Sequence, residues 1–357
     1  MSDAPRIAFC GLRHPHSDAH LRTLSHSAQV SEVVVFDEDP EAVARAESTY
    51  AKVVGGHCEL DALLAEACPI TVACLTNDVN PDLCLKLVAA GSHVISEKPI
   101  GPTSESVREV VQAAEAHSRV LGVMYQNRYH PITQEARRLI LAGALGQVVS
   151  CEARMVTSQV RFRDPTHWLF NRSVSGGGIL SWLGCHYLDL LRYLLGDEVA
   201  SVSAMVGRMS GEAIDVEDVA SMSLRFVGGA IGSLQAGYQL PISGAGYMGP
   251  SYDSYISIRG SQGHLIWRPS NQPARLEFTS VASGWETAPV KTIDFVIAEN
   301  DAYGGVYGVA FVDGFIGSAL AGAEPPASGI DALEVGKVVE AAYRSSEERR
   351  HVDIARE

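Results

Sequence analysis

The stretch His93-Val94-Ile95-Ser96-Glu97-Lys98-Pro99 decides how this chain is read. Its first four residues form a short apolar run that reads as a buried strand. Pro99 ends the strand, because proline has a fixed φ and no N–H for a sheet ladder. A lysine at the carboxyl end of such a strand stands where open α/β sheets bind their ligands. Its ammonium can donate to a substrate oxygen, and burial moves its proton readily. A solvated lysine at a strand end would fit the tripeptide equally well, so the surroundings must decide.

Working outward, apolar runs recur at regular intervals. Arg6-Ile7-Ala8-Phe9-Cys10 ends at Gly11, Val33-Val34-Val35-Phe36 ends at Asp37, and Ile70 to Leu75 and Val120 to Tyr125 follow the same pattern. Between them lie helical patterns over residues 17–28, from Pro40 to about Tyr50, from Pro81 to Ala90, and from a cap at Thr103 or Ser104 to about His117. Strands that are apolar throughout and alternate with helices predict a parallel sheet covered on both faces. Beyond residue 130 the period changes. After a helix at 132–142, Val149, Cys151, Ala153 and Met155 alternate with polar partners, as do Met222, Leu224 and Phe226. Further strands are expected at 199–206, 230–239, 254–259, 263–267 and 275–280, a helix from Ile179 to Leu195, and a long loop from Leu240 to Asp253. Period-two alternation over many strands predicts an antiparallel sheet with helices on one face. The division expected is an N-terminal Rossmann domain over 1–126 and a C-terminal α+β domain over 127–357 with a large, mostly antiparallel open sheet. A last helix at about 330–345 is expected to pack back on the first domain.

Composition narrows the function. The 357 residues are 46% hydrophobic and carry a net charge of −14, without a basic stripe for nucleic acid or anionic membrane. Seven cysteines are scattered without a Cys-x-x-Cys pair and read as buried, reduced thiols. No apolar run approaches the ~20 residues of a membrane span. A cytoplasmic protein acting on a small molecule is expected.

The first strand, its turn at Gly11 and the acid Asp37 after the second strand make a dinucleotide-binding layout. Asp37 lies 26 residues after Gly11. Its carboxylate would accept from ribose hydroxyls and repel a 2′-phosphate, which favours NAD over NADP. The glycine fingerprint is reduced to Gly11, with Arg13 and His16 where its other glycines would stand. Arg13 could compensate by meeting a phosphate. His14, His16 and His20 show no companion ligand in the sequence, so no metal is expected. The second cluster is Gly176-Gly177-Gly178 followed by a helix carrying Trp182, His186 and Asp189, spaced to share one face. Histidine is the usual acid–base group near neutral pH, and Asp189 could orient it.

These pieces, with Gln126-Asn127-Arg128-Tyr129-His130-Pro131 and Glu340-Ala341-Ala342-Tyr343-Arg344-Ser345, resemble the glucose–fructose oxidoreductase, inositol dehydrogenase and rhizopine-catabolism (Gfo/Idh/MocA) family, in the family's order along nearly the whole chain. The resemblance implies NAD(P)-linked hydride transfer on sugars, cyclitols or derivatives, with Lys98 and His186 as the catalytic pair. It implies coenzyme contacts from Gly11, Leu12, Arg13, His16, Asp37, Thr76, Asn77, Glu97, Lys98 and Pro99. Trp182, Asp189, Tyr125, Asn127, Arg128, His167 and Trp168 would shape the substrate pocket, with Arg161 and Arg163 as weaker candidates. Three departures stand out: the lost glycines, Pro81 in place of a family histidine, and Trp182 in place of the aspartate that often shares the catalytic site. Two other outcomes stay open on this fold: transient oxidation by retained NAD followed by elimination or hydrolysis of a glycoside, and a non-catalytic sensor. A homodimer or homotetramer is expected, since one chain offers helices for only one face of the broad second sheet.

Overall fold

The computed structural model describes residues 4–242 and 251–355. The chain divides into two compact units: Met1–Tyr129 with Ala298–Leu333, and His130–Ile297 with Glu334–Glu357. The first therefore contains a returning segment that composition does not announce.

In the first unit the strands are β1 (Arg6–Cys10), β2 (Glu32–Phe36), β3 (Val53–His57), β4 (Ile70–Ala73), β5 (His93–Ser96) and β6 (Leu121–Val123). All neighbours are parallel, in the order β3-β2-β1-β4-β5-β6. This is the doubly wound dinucleotide-binding order. Helices α1 (Ser17–His26), α2 (Pro40–Thr49), α3 (Leu60–Leu64), α4 (Asn80–Ala89) and α5 (Ser104–Ala116) connect the strands. The central strands are buried on both faces, as their unbroken apolar sequences require. Strand β3 and helix α3 were not foreseen, because Val53-Val54-Gly55-Gly56-His57 has too little apolar pattern.

The second unit opens with α6 (Pro131–Leu141) and then β7 (Val148–Ser158). After α7 (Arg172–Ser175), one turn of π-helix, Leu180–Gly184, leads into α8 (Cys185–Leu195). The remaining strands are β8 (Val199–Gly207), β9 (Val219–Phe226), β10 (Ile231–Leu240), β11 (Tyr252–Gly260), β12 (Gly263–Trp267), β13 (Ala274–Ser280), β14 (Val290–Phe295) and β15 (Val352–Asp353). Their order is β14-β13-β12-β11-β7-β10-β9-β8-β15, antiparallel except for the β7–β10 pair. Strand β9 shows the alternation its sequence predicts: Ala220, Met222, Leu224 and Phe226 are buried and the residues between them are not. Helix α8 packs against β7 and α6. Most of the expected loop from Leu240 to Asp253 lies outside the described residues.

Helices α9 (Gly305–Ala321) and α10 (Gly329–Glu348) follow the second sheet. Helix α9 belongs to the first unit, where it packs on α1 and where Phe311 meets Tyr129 edge-on at 5.4 Å between ring centres. The expected return of the last helix divides within α10. Residues up to Leu333 group with the first unit, where Asp331 takes the Arg128 guanidinium at 2.7 Å. The rest groups with the second, where Ser345 and Ser346 Oγ accept from the Ala204 and Val206 amides of β8. All seven cysteines are unbridged, and six are buried; Cys58 is exposed, against expectation, on the turn after β3. Among the described residues no helix is long and apolar enough to cross a membrane.

Candidate active site

In the first unit the turn after β1 is built around Gly11. Its φ is +95°, and a Cβ there would lie 2.2 Å from the Cys74 carbonyl oxygen at the end of β4, so only glycine fits. Ser17 Oγ donates to the Gly11 carbonyl at 2.6 Å and ties the turn to the start of α1. Asp37, at the end of β2, is 1% exposed and is spent on this turn: Oδ2 accepts from Leu12 N at 2.8 Å, and Oδ1 from Arg13 Nε at 2.8 Å and Asp39 N at 3.0 Å. The turn, the acid and the strand order fit a bound dinucleotide, with Gly11, Leu12 and Arg13 on the turn that would face its phosphates and Asp37 at the strand end where its adenosine ribose would lie.

Lys98 has no solvent exposure. Its Nζ lies 3.4 Å from Glu97 Oε1, and the same carboxylate takes two imidazoles: His16 Nδ1 at 3.1 Å and His20 Nε2 at 2.6 Å. The Tyr303 ring, from the returning segment, lies 4.6 Å from the His16 ring and 4.5 Å from that of His20. Burial alone would raise the Glu97 pKa; His16, Lys98 and the hydrogen bonds from both histidines hold it well below the usual carboxylate range. Burial pushes His16 down to about 4, so its imidazole is neutral near pH 7, and it drives His14 well below its ordinary value. The neutral His16 imidazole then spends its one N–H on Glu97, and His20 Nε2 meets the other oxygen of the same carboxylate. The histidine pair therefore does have a companion, which the sequence reading missed because Glu97 is 77 residues from His20. The three groups could offer ligand atoms to a metal within 4.8 Å of one another. The Lys98 ammonium beside the carboxylate opposes that use, and the hydrogen bonds already satisfy the facing atoms.

The other expected coenzyme residues lie near the ends of β4 and β5. Asn77 is buried, and Thr76 Oγ1 donates to Asp78 Oδ1 at 2.6 Å. Tyr125 is buried, and Asn127 is half-buried. Arg128, expected in the substrate pocket, is buried, paired with Asp331 and donating to the Pro326 carbonyl at 3.0 Å.

In the second unit the glycine run serves close packing. A Cβ on Gly178 would lie 2.0 Å from the Glu217 carbonyl oxygen. The Glu217 side chain, 4% exposed, accepts from Gly178 N at 2.7 Å, from Leu180 N at 2.9 Å and from Tyr343 Oη at 2.9 Å. It caps the first amides of the segment that carries His186, which helix starts otherwise leave unpaired. Burial raises its pKa against those three donors. The expected uniform α-helix from Ile179 is instead a π turn followed by α8, an irregularity often found at functional sites. Gly184 leaves room for the wider turn, since a Cβ there would stand 3.3 Å from the Ile179 carbonyl oxygen. Trp182, on the π turn, is 2% exposed and meets Trp168 edge-on at 6.0 Å; His167 packs on Trp168 at 5.5 Å. His186, on the first turn of α8, is 5% exposed. Asp189 faces Arg192 at 3.9 Å, and Arg192 is clamped by Glu198 at 2.6 Å. Arg163 is half-buried, its guanidinium over the Tyr238 ring and donating to Thr157 Oγ1 at 3.2 Å, while Arg161 is exposed. Glu217 and Tyr303 could not be found from spacing, since both act across long sequence distances.

Residues 5–125 match the model of the oxidoreductase family with an NAD-binding Rossmann fold, and residues 133–266 match the GFO/IDH/MocA C-terminal domain. The chain belongs to the GFO/IDH/MocA oxidoreductases: it binds NAD in its first unit and is an NAD(P)-dependent dehydrogenase. It is 29% identical over 341 residues to inositol 2-dehydrogenase of Rhizobium meliloti (strain 1021), covering 94% of this chain and 95% of that one. Among solved structures, an oxidoreductase domain protein from Kribbella flavida matches with a TM-score of 0.87 at 21% identity, covering both chains fully. Levoglucosan dehydrogenase in complex with NADH and levoglucosan matches with a TM-score of 0.86 at 20% identity over 99% of this chain and 100% of that one. These structural likenesses concern the fold.

Proposed function

We propose that this enzyme transfers a hydride between nicotinamide and a secondary alcohol or ketone of a sugar, a cyclitol or a derivative. The observation that carries the reading is Lys98, wholly buried at the end of β5 with an ionised Glu97 beside it, in a unit that binds NAD. A buried ammonium at that position donates to the reacting oxygen and stabilises alkoxide charge as the hydride leaves. His186 takes the hydroxyl proton in oxidation and returns it in reduction. When bound, NAD supplies the hydride acceptor. Trp168 and His167, half-buried beside the buried Trp182, offer ring surface suited to the apolar face of a sugar ring. The relatives named for inositol and levoglucosan support a polyhydroxylated ring as substrate. Exposed Val149, Met205 and Ile231 on the second sheet support a homo-oligomer, and the scattered unbridged cysteines support a reducing, cytoplasmic setting.

The test is incubation of the protein and NAD with separate polyols, including myo-inositol and levoglucosan, following NADH absorbance. Net NADH from at least one cyclic polyol is expected. Release of a cleaved glycoside without net NADH would replace this reading with transient oxidation.

A further inference from the structure

The Asp37 carboxylate at the end of β2 does not stand open. Its two oxygens carry the Leu12 and Asp39 amides and the Arg13 guanidinium. Asp37 is 1% exposed, whereas the Arg13 side chain is 57% exposed. Only Nε of Arg13 is engaged among the described residues; its two terminal nitrogens carry no hydrogen bond there. The end of β2 is where this fold reads the adenosine ribose, with an acid for the 2′-hydroxyl of NAD or an arginine for the 2′-phosphate of NADP. Here both residue types occupy one position, joined to each other.

We infer that Arg13 is the residue that sets coenzyme specificity, offsetting Asp37 so that the enzyme accepts NADP alongside NAD. This rests on the assignment of the first unit to coenzyme binding. A lone Asp37 would meet a 2′-phosphate with like-charge repulsion. With Arg13 on Oδ1, the position is near neutral overall, and among the described residues the two terminal nitrogens of the guanidinium keep their N–H donors unspent. Guanidinium is the group best shaped for phosphate oxygens, which it can take two at a time. The replacement of the second fingerprint glycine is then a gain of recognition as well as a loss of close backbone approach. A guanidinium directed instead at the pyrophosphate would serve NAD and NADP alike, and the two placements differ in a measurable ratio.

The test is fluorescence titration of the full-length protein with NADH and NADPH, with 5′-AMP and 2′,5′-ADP as competitors. The wild type is expected to bind NADPH within about tenfold of NADH. Arg13→Leu should weaken NADPH and 2′,5′-ADP by about 10- to 100-fold more than it weakens NADH and 5′-AMP, the size of a lost charge-assisted pair. Asp37→Asn keeps an acceptor for Leu12 N and should favour NADPH further. Because the Arg13 side chain is mostly exposed, its replacement should not unfold the protein, and Arg13→Gln is a second variant with the same expectation. Equal weakening of NADH and NADPH in both Arg13 variants, or no change in either, would overturn the inference. Wild-type protein that binds neither nucleotide would overturn the coenzyme assignment beneath it.

Discussion

Glu97 Oε2 and His20 Nε2 lie 2.6 Å apart with both residues almost wholly buried, and the other oxygen of that carboxylate faces His16 at 3.1 Å and Lys98 at 3.4 Å. One ionised carboxylate is thus shared by two imidazoles and the lysine proposed to meet the substrate. The imidazoles fix the carboxylate, and the carboxylate limits where Lys98 can go. His20→Leu removes a donor from a buried anion and should cost about 1–3 kcal/mol of stability. His20→Gln, which can place an N–H near the same point, should recover most of that loss. Urea unfolding of both variants checks this; equal destabilisation by Leu and Gln would show that the hydrogen bond matters less than ring packing against Tyr303.

The buried histidines make stability fall with acid. His16 and His130 sit at about 4 in the folded chain, pushed down by burial from an ordinary value of 6.5. The unfolded chain therefore binds protons that the folded chain refuses between about pH 6.5 and pH 4, and protonation favours unfolding across that window. Glu97 acts in the same direction, because its depressed pKa supplies stability that disappears as the carboxylate protonates. Melting temperatures measured from pH 7 to pH 4 should fall steadily. A flat profile over that range would contradict the burial of neutral imidazoles.

Glu217 should matter to the segment bearing His186 without touching substrate. Glu217→Ala leaves Gly178 N, Leu180 N and Tyr343 Oη without their acceptor and should cost about 2 kcal/mol or more, with Glu217→Gln milder. Gly178→Ala should be at least as harmful, since its Cβ would collide with the Glu217 carbonyl. Unchanged denaturant midpoints in Glu217→Ala would remove the cap from the account.

Much of this architecture was legible in the sequence, and the exceptions have physical causes. Strand β5 was read with its observed ends, His93 and Ser96, because a fully buried parallel strand is apolar throughout and Pro99 stops it. Strand β9 was legible because one face is buried and the other is not. Helix α9 was missed: Gly305 to Ala321 is apolar on most sides and interrupted by Gly308, Gly314 and Gly317, so no amphipathic stripe marks it. The residues proposed for the site stand out in the sequence where local chemistry is unusual, at Lys98, Gly11 and the glycine run. Their arrangement was not legible where partners come from afar. His16 and His20 showed no companion until Glu97 met them, Asp37 looked open until Arg13 closed on it, and the pairing of Arg128 with Asp331 spans most of the chain.

The central claim is that Lys98 takes part in hydride transfer to NAD. The most direct measurement compares wild type and Lys98→Met with NAD and the polyol that wild type oxidises, following NADH in a single turnover and NADH binding by fluorescence in parallel. The account predicts a loss of about 10²- to 10⁴-fold in the rate of NADH formation with NADH affinity within a few-fold of wild type. A Lys98→Met enzyme that forms NADH within a few-fold of the wild-type rate would contradict it.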